Sequence, residues 1–177
     1  LEYGRSEEPA AQKTRVVLTK ALTLAAEDAG LEPEGVALVK QLPPRFAVEA
    51  DPDQLYRILV NLMRNARQAI EADPGRPPER RGKGAITVSA FGEGGFCVVR
   101  IADDGPGIAD EVKAKLFDMF YTADNGSADS RRGLGLGLPL CKSIIHAHGG
   151  TIYVKDNVPQ GTVVGFILQA VEVCAHE

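Results

Sequence analysis

Residues 85–105 read AITVSAFGEGGFCVVRIADDG, two runs of alternating apolar and polar residues separated by glycines at 92, 94 and 95. Period-two alternation marks a strand with one buried face, and a short glycine-rich break between two such runs predicts a β-hairpin. Hairpin strands are antiparallel. The same logic applies to TIYVKDNVPQGTVVGFILQAVEV at residues 151–173, which gives two strands around a turn.

Outward from the hairpin the period changes. DPDQLYRILVNLMRNARQAIEAD (residues 51–73) repeats its apolar residues at helical spacing and opens with a capping-type Asp51 followed by Pro52. QKTRVVLTKALTLAAEDAG (residues 12–30) carries Val16, Val17, Ala21, Leu24 and Ala25 at the same spacing and stops at Gly30, which predicts a helix over the whole run. Between these two helices, GVALVKQLPPRFAVEAD gives two short strands around Leu42, Pro43 and Pro44. IADEVKAKLFDMF (residues 108–120) predicts a short amphipathic helix, TADNGSADSRR a polar loop, and LGLPLCKSIIHAHGG a helix starting near Leu138. Interleaved helices and turn-linked strand pairs predict an α/β sandwich, a helix layer packed on a mixed, largely antiparallel sheet. One domain is expected over residues 14–170, after a polar leader at 1–13 and before a tail at 171–177.

With 177 residues the chain can bury a core without disulfides or structural metal. A net charge of −4 and 44% apolar residues speak against disorder and against a general affinity for nucleic acid. The basic stretch RPPERRGK has no aromatic platform and reads as a solvated loop. Cys97, Cys141 and Cys174 stand far apart without a C-x-x-C pair, which argues against a disulfide framework and a zinc site and for a reducing, cytoplasmic setting. No run has the length of a membrane span, so any anchor is expected outside this chain.

The residues that ask for a function are Gly133, Gly135 and Gly137 in RRGLGLGLPL. Bare backbone at a helix start fits either a phosphate cradle or a flexible connector. A P-loop is excluded, because no Lys-Ser/Thr pair follows the glycines; Leu138 occupies the third glycine position of a dinucleotide fingerprint. Three further stretches stand in a fixed order around the ladder: LVNLMRNARQAI at 59–70, DDGPGI at 103–108 and LFDMF at 116–120, with QGT at 160–162 after it. Together they resemble the nucleotide-binding domain of sensor histidine kinases, a member of the superfamily of gyrase, Hsp90 and MutL ATPase domains. The resemblance runs from Val16 to Leu168 and implies a Bergerat-type ATP-binding fold.

What the resemblance implies can be stated residue by residue. Asn61 and Asn65 are four apart on α-helical spacing, so two amide oxygens can point into one pocket. Asn65 is then the magnesium ligand and Asn61 lies beside the phosphates; a pair of ordinary surface asparagines is the plain alternative. Asp103 accepts a hydrogen bond from the amine of adenine, while Gly105, Gly107 and Ile108 let the backbone pass close to the base; a simple β-turn is the competing reading. Phe117 and Phe120 match the family's phenylalanine box and also read as core. Gly133, Gly135 and Gly137 form the hinge between a phosphate-covering lid and the helix starting near Leu138, Leu136 and Leu138 border the nucleotide, and Thr162 completes the adenine contacts. Gln68 and Ala69 stand where many members carry Lys and Tyr. Arg131 and Arg132 supply the phosphate charge instead, or are a solvated pair.

Asn61 also occupies the position where hydrolysing members carry a Glu general base, so the resemblance implies ATP and Mg2+ as cofactors and phosphoryl transfer to a protein rather than hydrolysis. None of His146, His148 and His176 sits in an acceptor motif; His148 is read as a partly cationic ring at a helix C-terminus. No catalytic residue is assigned in this chain. The acceptor histidine is expected on a separate dimerisation domain, with a response regulator as the onward partner. The segment 128–162 is most similar to osmosensitive, potassium-responsive sensor kinases. An anti-sigma-factor-type serine kinase and a non-catalytic nucleotide-sensing docking module are the rival readings.

Overall fold

The computed structural model describes residues 10–117 and 138–169. Strand β1 (Thr14–Val17) leads directly into α1 (Leu18–Ala29), followed by β2 (Val36–Gln41), β3 (Ala47–Ala50) and α2 (Pro52–Glu71). The hairpin β4 (Gly84–Glu93) and β5 (Phe96–Asp103) comes next, then α3 (Asp110–Lys113), α4 (Leu138–Ala147), β6 (Thr151–Asp156) and β7 (Thr162–Gln169). Five strands form one sheet in the order β2-β4-β5-β7-β6, and β1 pairs with β3 in a separate ribbon. β2 runs parallel to β4, and the other neighbours in the large sheet are antiparallel, so the sheet is mixed and largely antiparallel as expected.

The hairpin forms where the alternation placed it. Gly94 and Gly95 make a two-residue turn with φ of 58° and 85°, a conformation that favours glycine and matches the twist of the flanking strands. Ile86, Val88 and Ala90 of β4, Cys97, Val99 and Ile101 of β5, and Phe166 and Leu168 of β7 belong to one buried cluster with the helices. α2 contributes Leu55, Ile58, Leu59, Leu62, Met63, Ala66 and Ile70 to that cluster, one stripe at helical spacing. Its N-terminus is closed by Asp51, whose Oδ1 accepts the N–H groups of Asp53 (3.0 Å) and Gln54 (3.1 Å).

Three expectations change. The helix expected from residue 12 begins only at Leu18, because Thr14–Val17 pair with Ala47–Ala50. β-branched Val16 and Val17 satisfy the strand better than the helix, and Leu24, counted on the apolar face, is exposed. α3 is four residues long, with turns continuing to Phe117 rather than a helix throughout; Phe117 packs against the core, and Phe120 lies outside the described residues. His148 is buried and bridges two helices rather than only closing its own. Its Nε2 accepts the N–H of Asp51 at 3.0 Å, so Nδ1, 2.9 Å from the Ile144 carbonyl, carries the proton. The ring thereby ties the end of α4 to the start of α2. Among the described residues no helix is long and apolar enough to cross a membrane.

Candidate functional site

The hairpin delivers Asp103 as the last residue of β5, at the mouth of a cavity between α2 and the sheet. Asp103 is 8% exposed. Its Oδ1 accepts the N–H of Gly105 at 2.9 Å and that of Thr162 at 3.3 Å. Both of these bonds fall on one oxygen, which leaves Oδ2 to the cavity. Burial pushes the Asp103 carboxyl up to about 6, and Asp104 adds to the rise; the two backbone donors and Arg76 oppose it.

Loops on either side hold this turn in place. From the β6–β7 loop, Asn157 Nδ2 donates to the Asp103 carbonyl at 2.9 Å and Gln160 Nε2 to the Gly105 carbonyl at 2.8 Å. The backbone of Gly161 (φ 113°) lies so close that a Cβ there would sit 1.9 Å from the Asp103 carbonyl oxygen. Gly107 also takes positive φ, 87°, where the chain turns away after Pro106. On the far side, Arg76 donates to the Asp104 carbonyl and carboxylate. That arginine opens the stretch read as solvated, yet it is only 8% exposed.

The cavity encloses about 200 Å³, and its walls are mainly aliphatic, including Leu62, Ala66, Ile101, Ile108 and Val164. Asn65, Asp103 and Thr162 are its polar lining, and Leu138 at the start of α4 closes one side. Asn65 Nδ2 is buried without a hydrogen-bond partner among the described residues, an unusual state for an amide and one that a ligand would relieve. Ala69 lines the wall with a methyl group where a stacking ring is common in the resembled family. Gln68 does not line this cavity, and its Oε1 is buried without a partner.

Asn61 departs from the expected shared pocket. It lies in a neighbouring open depression with Tyr56, Arg57 and Arg64, where it hydrogen-bonds the Cys141 side chain. Four residues advance a helix by about 6 Å, enough to carry Asn61 past the cavity that Asn65 faces. Burial pushes the Cys141 thiol up to about 12, so this cysteine is an inert packing residue rather than a nucleophile. Arg131, Arg132, Gly133, Gly135, Leu136 and Gly137 lie outside the described residues. Sequence reasoning missed Arg76, Asn157 and Gln160; for the last two the polar NVPQG loop beside Thr162 was the available signal.

The arrangement is a mainly apolar slot with one carboxylate at its mouth and one amide at its side, suited to a flat heterocycle bearing an amine. Comparison with known proteins agrees. Residues 50–172 match the family described as histidine kinase-, DNA gyrase B-, and HSP90-like ATPase. The chain is 32% identical over 120 residues to sensor protein KdpD of Clostridium acetobutylicum, covering 67% of this chain and 12% of that protein. It is 34% identical over 126 residues to nitrogen regulation protein NtrY of Azorhizobium caulinodans, covering 71% and 15%. The chain thus spans a small part of these relatives. Among solved structures, the catalytic domain of histidine kinase ThkA superposes with a TM-score of 0.68 at 24% identity, covering 90% of this chain and 96% of that one. ThkA in complex with the response regulator TrrA gives 0.67 at 23%, covering 95% and 45%.

Proposed function

This chain belongs to the histidine kinase-, DNA gyrase B-, and HSP90-like ATPase family, and we propose that residues 14–170 are the ATP·Mg-binding catalytic domain of a sensor histidine kinase. The observation that carries the reading is Asp103, a buried carboxylate fixed through Oδ1 by two backbone donors with its other oxygen left to an apolar slot. In this reading Oδ2 accepts a hydrogen bond from the exocyclic amine of adenine. Guanine would bring a carbonyl to the same place and leave two acceptors facing each other. Thr162, Gly105, Gly107 and Ile108 frame the base.

The residues present fit a nucleotide and its metal. Asn65 lines the cavity wall with an unpartnered buried Nδ2, a donor suited to a phosphate oxygen, and its carbonyl oxygen is a hard ligand of the kind magnesium takes alongside phosphate oxygens and water. Bound magnesium would supply neutralisation of phosphate charge. Gly133, Gly135, Leu136, Gly137 and Leu138 would flank the phosphates, with Arg131 and Arg132 as their cations and Asn61 beside them. The chain's own contribution is to bind the base, hold the phosphates and keep water unactivated, since the amide of Asn61 is no general base. The γ-phosphoryl group then goes to a histidine on a separate dimerisation domain, brought in line by docking.

A response regulator is the onward partner, supported by the solved complex of ThkA with TrrA. The finer reading, a potassium- or osmolarity-responsive sensor working in the cytoplasm, draws on the segment 128–162 and on the match to KdpD. NtrY matches at similar identity, so the stimulus is tested by potassium titration of phosphorylation in the full-length kinase.

The experiment for the site is calorimetric titration with non-hydrolysable ATP and GTP analogues, each with and without magnesium. Adenine-selective, magnesium-assisted binding is expected. Absence of binding at millimolar nucleotide would overturn the assignment, and serine phosphorylation of a free partner protein would redirect it to an anti-sigma-type kinase.

A further inference from the structure

Arg76 is an arginine in an unusual place. It follows α2 in a loop rich in Pro, Gly and Arg, yet it is nearly buried. Its Nε donates to the Lys83 carbonyl at 2.9 Å, and Nη1 to the Asp104 carbonyl at 2.9 Å and to Asp73 Oδ2 at 3.2 Å. Nη2 meets Asp104 Oδ1 at 2.8 Å. All three guanidinium nitrogens are engaged, which fixes the fork in position as well as in charge. Asp73 is itself anchored, since its Oδ1 accepts the N–H of Gly75 at 2.9 Å. Asp104 Oδ1 also accepts the N–H of Ala85 at 3.3 Å, so the pair is tied to the start of β4.

The packing around this ion pair leaves no slack. A Cβ at Gly84 would sit 2.6 Å from Arg76 Nη2 and 2.7 Å from Asp104 Oδ1. The backbone of β4 is therefore pressed against the pair, and glycine is what allows it. Burying a guanidinium is costly unless every donor is matched, and the matching here is spent on the peptide next to Asp103.

We propose that Arg76 is a positioning residue of the nucleotide site: clamped by Asp73 and Asp104, its guanidinium fixes the Asp104–Gly105 peptide beside Asp103 and sets a positive charge near the carboxylate that meets the base. The inference rests on the nucleotide reading above. Asp104 and Arg76 are the charged groups among the described residues that act on Asp103, in opposite directions: Asp104 favours its protonated form and Arg76 its ionised form. Asp73 faces Arg76, and Arg80 reaches Asp104 Oδ2 at 3.8 Å from the exposed side. The groups that α2, α4 and the β6–β7 loop turn towards the cavity or the Asp103 turn are uncharged: Asn65, Leu138, Asn157, Gln160 and Thr162.

The two partners must then shift the pH dependence of nucleotide binding in opposite senses, which a purely structural ion pair would not do. The test is the Kd of a non-hydrolysable ATP analogue from pH 5 to 8 for the whole chain and for Arg76→Met, Arg76→Lys and Asp104→Asn. Arg76→Met is expected to weaken binding about tenfold at neutral pH, the scale of one charge-assisted hydrogen bond, and to move the acid limb to higher pH. Asp104→Asn keeps an amide oxygen for the Arg76 fork and is expected to move the limb to lower pH. Arg76→Lys is expected to return the limb towards wild type without restoring affinity, since an ammonium cannot make the fork.

Limbs of Arg76→Met and Asp104→Asn that coincide with wild type, or that move in the same direction, overturn the proposal. If Arg76→Met does not fold, the limb of Asp104→Asn and the affinity of Arg76→Lys decide it: an unmoved limb or a wild-type affinity overturns the proposal. A wild-type chain that binds no adenine nucleotide overturns the nucleotide reading as well. Binding that is lost in Asp103→Asn but unaltered in the Arg76 and Asp104 variants overturns the Arg76 proposal alone.

Discussion

Replacing Asp103 by Asn should make the empty protein more stable and the site useless. The wild-type carboxyl stands at about 6 against an ordinary value of 3.8, so the folded chain holds a proton that the unfolded chain releases between those two pH values. Folding is favoured by that proton below 3.8, and the advantage is lost as pH rises through 6. At ~1.4 kcal/mol per pH unit, ionised Asp103 costs the empty fold roughly 3 kcal/mol at pH 8, and about half of that at pH 5. Asn has the same shape and keeps an oxygen for the N–H groups of Gly105 and Thr162, but it never carries the charge. Urea unfolding of both proteins across pH 5 to 8 isolates the effect, because every other titrating group is shared. The variant is expected to lead by roughly 3 kcal/mol at pH 8 with the gap narrowing in acid, while binding the ATP analogue at least about a hundredfold more weakly. Equal stabilities at pH 8, or a gap that ignores pH, would refute the view that burial of Asp103 is what raises it.

Asn65→Ala should remove the magnesium dependence of nucleotide binding while leaving weak adenine affinity, read by calorimetry with and without the metal. Gly161→Ala places a methyl group 1.9 Å from the Asp103 carbonyl oxygen at a φ of 113°. It should destabilise the fold by more than about 2 kcal/mol and lower nucleotide affinity in the molecules that remain folded, measured by thermal unfolding and titration.

Where local pattern and tertiary demand coincide, the sequence is legible. The β4–β5 hairpin and α2 follow from alternation, from Gly94–Gly95 and from the Asp51 cap, because each is decided within a few residues. The motifs that single out Asp103, Asn65 and Thr162 stand in a fixed order along the chain, and all three residues line one cavity. Val16 and Val17 misled because their strand partner is Val48 and its neighbours, thirty residues away, which no local pattern reports. Arg76 misled for a similar reason: composition says solvated loop, and only Asp73 and Asp104 together make its burial affordable. Asn61 illustrates that i and i+4 can share a helix face without sharing a pocket: Asn65 lines one cavity and Asn61 the neighbouring depression.

β7 is the last described strand in the chain, yet it lies inside the sheet, between β5 and β6. During synthesis, then, β6 has no neighbour to join until β7 has left the ribosome, and β5 waits with one open edge. The same final strand brings Thr162, with Asn157 and Gln160 just ahead of it, to the turn that carries Asp103. A nascent chain halted before Thr162 would hold both the helix that bears Asn65 and the hairpin that bears Asp103 and still lack the Thr162 and Val164 side of the slot between them. Competence for the ligand therefore comes only once this late strand is in place, whatever the order in which the earlier elements settle.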